Sequence, residues 1–152
     1  MILPEDFFEN PAPAHPGLFQ ASEPVWTALE RLPARLAALM AGSRPLAGYS
    51  GLVDRPLVIL DGAVRADLRV ELSGPDGVRV FDGERLLADA AVILPGAYLF
   101  GDDIVIGAGT VVEPGALLKG PTVLGAGTEV RQGAYLRGNC LVGDRCVVGH
   151  AT

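Results

Sequence analysis

A few side chains in this sequence are of types that do chemistry, and their spacing is regular. His150 is the only histidine after His15, so the region beyond the N-terminal arm holds a single group that titrates near neutral pH. Lys119 and Arg137 are 18 residues apart, and so are Glu113 and Arg131. If 18 residues close one structural repeat, Lys119 stands over Arg137. Two like charges so placed repel unless an anion sits between them, which suits a phosphate or pyrophosphate group. The plainer reading is a solvated pair on splayed stems. Glu113 over Arg131 should form a neutral pair. Tyr98, Leu117 and Tyr135 fall in one column when one extra residue near Phe100 is allowed for, a pattern of ladder packing or subunit contact more than of ring stacking on a ligand. Cys140 and Cys146 occupy small inward positions and read as small hydrophobes. No metal is expected, because His150 has no histidine partner between residues 16 and 149 and one imidazole does not make a zinc site.

The spacing comes from a repeat. From Ile106 onward every sixth residue is aliphatic: Ile106, Val112, Leu118, Leu124, Val130, Leu136, Val142 and Val148. Four residues after each comes a small one: Thr110, Ala116, Thr122, Thr128, Ala134, Cys140, Cys146 and Thr152. Gly107, Gly125, Gly143 and Gly149 directly follow their aliphatic residues. A period of six is neither helical nor the alternation of a plain strand. It suits a short strand and a tight bend, repeated, with three sides closing a triangular coil. Ile106–Val123 and Leu124–Leu141 are successive 18-residue copies, Val142 begins another, and Leu87–Val105 is an upstream copy one residue longer. One coil cannot bury its apolar face, whereas coils stacked about 4.8 Å apart bury a continuous column.

These hexads resemble those of the hexapeptide-repeat proteins, the left-handed parallel β-helix superfamily of acyltransferases. The resemblance is firm over Leu87–Thr152 and loose over Leu57–Leu86. Left-handed coiling is what the resemblance implies, since the periodicity gives only a coil. The runs Val112–Ala116, Glu129–Asn139 and Val148–Thr152 are similar to the β-helix domain of sugar-1-phosphate nucleotidylyltransferases that carry an amino-sugar N-acetyltransferase half. The nucleotidylyltransferase domain, with its Gly-rich nucleotide loop, has no counterpart here. The resemblance implies acyl transfer from acetyl-CoA or another acyl-CoA to a phosphate- or nucleotide-linked sugar, by a homotrimer with sites between subunits. His150 is then the candidate general base, and Lys119, Arg137, Arg131 and Asn139 are candidate contacts to the acceptor or to the coenzyme A pyrophosphate. The resembled domains place their histidine beyond the Gly-His hexad and continue for several coils. The chain is therefore expected to be incomplete at its C-terminal end, with little acyl transfer of its own and a tendency to self-associate there. A second branch with a Gly-His hexad, the γ-type carbonic anhydrases, binds zinc through three histidines, a set missing between residues 16 and 149.

Upstream elements must position this coil. Residues 1–21 read as an extended arm. Ser22 offers an N-cap oxygen, with Glu23 and Pro24 in the first turn. Val25, Trp26, Leu29, Leu32, Leu36, Leu39 and Met40 form a helical stripe, Pro33 should kink or break it, and Gly42 should close it. Such a helix would cap the first coil. Leu57–Leu60, Val64–Leu72 and Val78–Phe81 read as strands, with turns at Gly74–Gly77 and Asp82-Gly83. The expected division is an arm and capping helix over 1–50 and a β-helix domain over 51–152, regular from about residue 87. The fold class is all-β, a left-handed parallel β-helix with a short N-terminal helix.

Composition bounds the rest. The chain has 152 residues and a net charge of -6, so phosphate-rich nucleic acid is an unfavourable partner. A hydrophobic share of 49% excludes a disordered chain, and Gly 20 with Pro 12 is high for a helical bundle. There is no long apolar run, no basic leader, and only two cysteines, which points to a cytoplasmic protein without a membrane partner. Two rivals to the acyltransferase stand: a non-catalytic β-helix that assembles subunits or regulates a partner enzyme, and a fragment of a nucleotidylyltransferase-type protein.

Overall fold

In a computed structural model of the chain, residues 1–9, 15–43, 45–73 and 77–150 are described. The chain divides into two compact units, Met1–Leu39 and Met40–Thr152. The expected turn at Gly74–Gly77 falls mostly outside the described residues, as do parts of the arm and the small position Thr152.

The first unit holds short 3-10 turns at Pro4–Asp6 and Val25–Thr27 and most of helix α1, Ala28–Met40. Helical structure begins at Val25 with Pro24 at the N-cap and no side-chain cap, so Ser22 does not serve there. Pro24 is extended (ψ 140°), which sets the boundary two residues later than Ser22 would. Glu23 instead pairs with Arg31. The helix runs through Pro33 unbroken. Proline forfeits one backbone donor, but its fixed φ is helical, so the element continues when its apolar face is held. That face is narrower than the sequence stripe. Ala28 and Leu36 are buried and Leu32 is half-buried, while Trp26 and Leu29 are exposed. Gly42 ends the helix as expected, with φ +86° and the Ser43 N–H bonded to the Met40 carbonyl.

The second unit is β structure. Its centre is a parallel β-solenoid of about three turns with three faces. The first face holds β7 (Ala91–Ile93), β10 (Val111–Val112), β13 (Glu129–Val130) and β16 (Val147–Val148). The second holds β8 (Tyr98–Phe100), β11 (Leu117–Lys119) and β14 (Tyr135–Leu136). The third holds β9 (Ile104–Ile106), β12 (Thr122–Leu124) and β15 (Cys140–Val142). Register follows the 18-residue repeat: Val112 pairs with Val130 and Val130 with Val148, Leu118 with Leu136, and Leu124 with Val142. Tyr98 pairs with Leu117, 19 residues on, whereas Ile104 pairs with Thr122, 18 residues on. The extra residue of the first coil therefore lies in the corner at Gly101–Asp103, as the sequence suggested. Val112, Leu118, Leu124, Val130 and Leu136 are buried inside together with Thr110, Ala116, Thr122, Thr128 and Ala134, so the aliphatic and small positions both point inward.

Residues 51–86 do not continue the coil. β1 (Gly51–Leu52) and β2 (Leu57–Leu60) pair antiparallel with β8 and β7, which supplies backbone partners to the first coil. β3 (Ala63–Arg65) folds back on β2 through Asp61 and Gly62, both at positive φ. The expected single strand over Val64–Leu72 is two, β3 and β4 (Arg69–Ser73). Arg65 bonds Asp67 through both Nε (2.8 Å) and a terminal nitrogen (2.6 Å), a local clasp at the break. β4, β5 (Gly77–Asp82) and β6 (Arg85–Leu86) form a separate antiparallel sheet. Its buried Val80 shares a second core with Val58 and Val92, and Val70, Val78 and Val111 pack beside them. This small sheet thus covers the outside of the first face at the upstream coils.

Candidate functional site

The corner between the third and first faces sets how closely coils approach. A side chain at Gly125 would place its Cβ 2.4 Å from the Gly143 carbonyl carbon, and one at Gly107 would come within 2.5 Å of Gly125 and Ala126. Glycine is needed there for close approach. Beside these glycines runs a buried hydroxyl ladder. Thr110 Oγ1 donates to the Gly125 carbonyl (2.7 Å) and accepts from the Thr128 N–H (3.1 Å). Thr128 Oγ1 repeats both bonds one coil on, to the Gly143 carbonyl (2.9 Å) and from the Cys146 N–H (3.3 Å). Cys146 occupies the next position of the ladder. It is half-buried and its thiol reaches the Asp144 carbonyl at 3.6 Å. Cys140 is half-buried against the main core.

The opposite edge of the first face carries the residues that could act on a ligand. Glu113, Arg131, Gln132, Gly133 and His150 line one shallow, open depression. The coil brings them together because Glu113 and Arg131 follow the paired Val112 and Val130, while His150 follows Val148 by two residues. Glu113 and Arg131 do not neutralise each other directly. Glu113 Oε2 accepts from the Gln132 N–H (2.8 Å), and Arg131 donates to Glu129 Oε2 through both Nε (3.3 Å) and a terminal nitrogen (3.0 Å). Glu129 lies two residues earlier on the same side of the strand, nearer than the stacked glutamate. The His150 ring is exposed, and no hydrogen bond joins it to another described residue. An imidazole so placed can take a proton from a bound amine or hydroxyl.

Lys119 ends β11, and Arg137 follows Leu136 where Lys119 follows Leu118, so the two cations stand in one column on the outside of the second face. Both are exposed and neither has an ion pair among the described residues. They lie across the second face from His150, so the candidate residues form two groups at its two edges. Asn139 belongs to the Lys119 edge. It sits in the corner before β15 with φ +51°, a left-handed conformation that asparagine tolerates better than most residues.

Sequence reasoning did not single out the hollow lined by Tyr49, Arg55, Leu57, Val64, Arg65 and Val70. It depends on the antiparallel hairpins, which carry no hexad signal. Arg65 there is taken by Asp67, and that hydrogen bond holds the Asp67 carboxyl at about 2, below its ordinary 3.8. Among the described residues no group of three His, Cys, Asp or Glu side chains could hold a metal ion. No described helix is long and apolar enough to cross a membrane. Comparison with known proteins finds no counterpart: no family model matches the chain, and no curated protein or solved structure matches it.

Proposed function

We propose that this protein is an acyltransferase of the hexapeptide-repeat type, moving an acetyl or other acyl group from acyl-CoA to an amino or hydroxyl group of a phosphate- or nucleotide-linked sugar. One observation carries the reading. The in-register coil gathers His150, Arg131, Glu113 and Gln132 around an open depression, with two cations across the adjoining face that have no ion pair among the described residues. The acceptor nitrogen or oxygen attacks the thioester carbonyl while His150 takes its proton. The tetrahedral intermediate collapses with cleavage of the carbon–sulfur bond. The thiolate leaves and recovers the proton from the imidazolium, giving an amide or ester and free coenzyme A. Lys119 and Arg137, with Arg131 and Asn139, hold the anionic part of acceptor or donor. The reading carries with it a cytoplasmic homotrimer.

The test is thiol release from acetyl-CoA by the purified protein against a panel of amino-sugar phosphates and nucleotide sugars. Acceptor-dependent release is expected, falling to the acceptor-free background in His150→Gln. Absence of acceptor-dependent release, or equal release by the variant, overturns the assignment. A second reading, a β-helix that assembles subunits or regulates a partner enzyme, is favoured by the open apolar column on the second face, where Tyr98 and Tyr135 are exposed.

A further inference from the structure

The geometry points to the hollow beside β2, β3 and β4 as a binding site for a small aliphatic carboxylate. It stands apart from the acyl-transfer reading, since none of its lining residues belongs to that reaction. It also lies at the upstream end of the coil, where β2 pairs with β7, whereas His150 follows β16. The hollow has a volume of about 260 Å³. Pockets for drug-sized ligands run from about 300 to 1,000 Å³, so this one suits a smaller molecule. Its floor is aliphatic: Leu57 is buried, and Val64, Leu68 and Val70 are half-buried. Leu57 and Val64 belong with the main core, and Leu68 and Val70 with the second core, so packing on both sides holds the floor in place. An apolar stem laid on it removes aliphatic surface from water. Tyr49, half-buried against the main core, adds an aromatic wall.

Two guanidinium groups line the same hollow, those of Arg55 and Arg65. They differ in what already holds them. Arg65 is committed to Asp67 through Nε and a terminal nitrogen, and Asp61 and Asp82 add negative charge near it at longer range. Arg55 has no ion pair among the described residues, not even with Asp54 beside it in sequence. Pro56 follows it and narrows the backbone choices of Arg55, which fixes the base of the side chain. The hollow therefore offers one uncompensated cation above an aliphatic floor. A carboxylate matches it in charge, and its two oxygens match the planar guanidinium fork. A phosphate group brings about two charges to that single cation. An amine would be repelled by Arg55.

Titration of the protein followed by backbone-amide NMR tests the site, with 4-methylpentanoate, 4-methylpentan-1-ol, acetate and inorganic phosphate as probes. The branched acid should bind saturably and shift the amides of residues 49–57 and 64–70. The alcohol lacks the charge, and acetate and phosphate lack the stem, so each should bind at least about tenfold more weakly. Arg55→Gln should lose at least about tenfold for the acid and nothing for the alcohol. Ala66→Phe, at an exposed lining position, should lose at least about tenfold by filling the space of the stem while Arg55 stays intact. A parent-like melting temperature certifies each variant, and if one unfolds, the other and the amide map decide. Acid binding no tighter than that of the alcohol or of phosphate, or unchanged by Arg55→Gln, overturns the site. So does an acid that shifts amides around His150 or Lys119 instead, which would assign it to the coil. Binding at residues 49–70 without acyl transfer to any acceptor would leave this site standing and sink the acyltransferase, and acyl transfer without such binding would do the reverse.

Discussion

Thr110 and Thr128 hold successive coils together through hydroxyls that donate to one backbone group and accept from another. Thr128→Val keeps the shape but removes both bonds, leaving the Gly143 carbonyl and Cys146 N–H short of a partner. The expected loss is about 1–3 kcal/mol, read from the midpoint of urea unfolding. A parent-like midpoint would mean that the ladder contributes no net stability. The hexad made the inward position of these threonines legible. Their partners were not, because the bonds cross to residues 15 and 18 positions away. The same gap explains Glu113 and Arg131. Column spacing set them one over the other, but a nearer carboxylate, Glu129, and a backbone N–H, that of Gln132, captured them first.

At the scale of elements, the coil strands were legible because each repeats one pattern, aliphatic and small inward, and stacking reinforces it. Residues 51–86 obey a different rule, antiparallel pairing, and their strands were placed without their partners. One signal was available: Asp61-Gly62 between two apolar runs is a hairpin turn, and it joins β2 to β3. The break at residues 66–68, where Arg65 clasps Asp67, had no such mark. The sheet β4–β6 earns its place through Val80, buried against Val58 and Val92. Val80→Ala should cost about 2 kcal/mol by urea unfolding, from lost burial and the cavity left behind. Unchanged stability would show that the small sheet is not packed on the coil's first face.

For the whole molecule, the placement of the candidate residues is a consequence of register. A slip of one residue turns every inward side chain outward. It would bury Glu129, scatter the His150 depression and dissolve the Lys119/Arg137 column. The candidate residues were nameable from the sequence, but their division between two edges of one face required the register of the coils. The most direct test compares neighbours on β13. Val130 is fully buried between Val112 and Val148, while Glu129 is exposed. In urea unfolding, Val130→Asp should lose about 3–5 kcal/mol by burying an unpaired charge, while Glu129→Ala should change stability by no more than about 0.5 kcal/mol. Equal losses in the two variants, or a larger loss for Glu129→Ala, would contradict the six-residue register and everything placed by it.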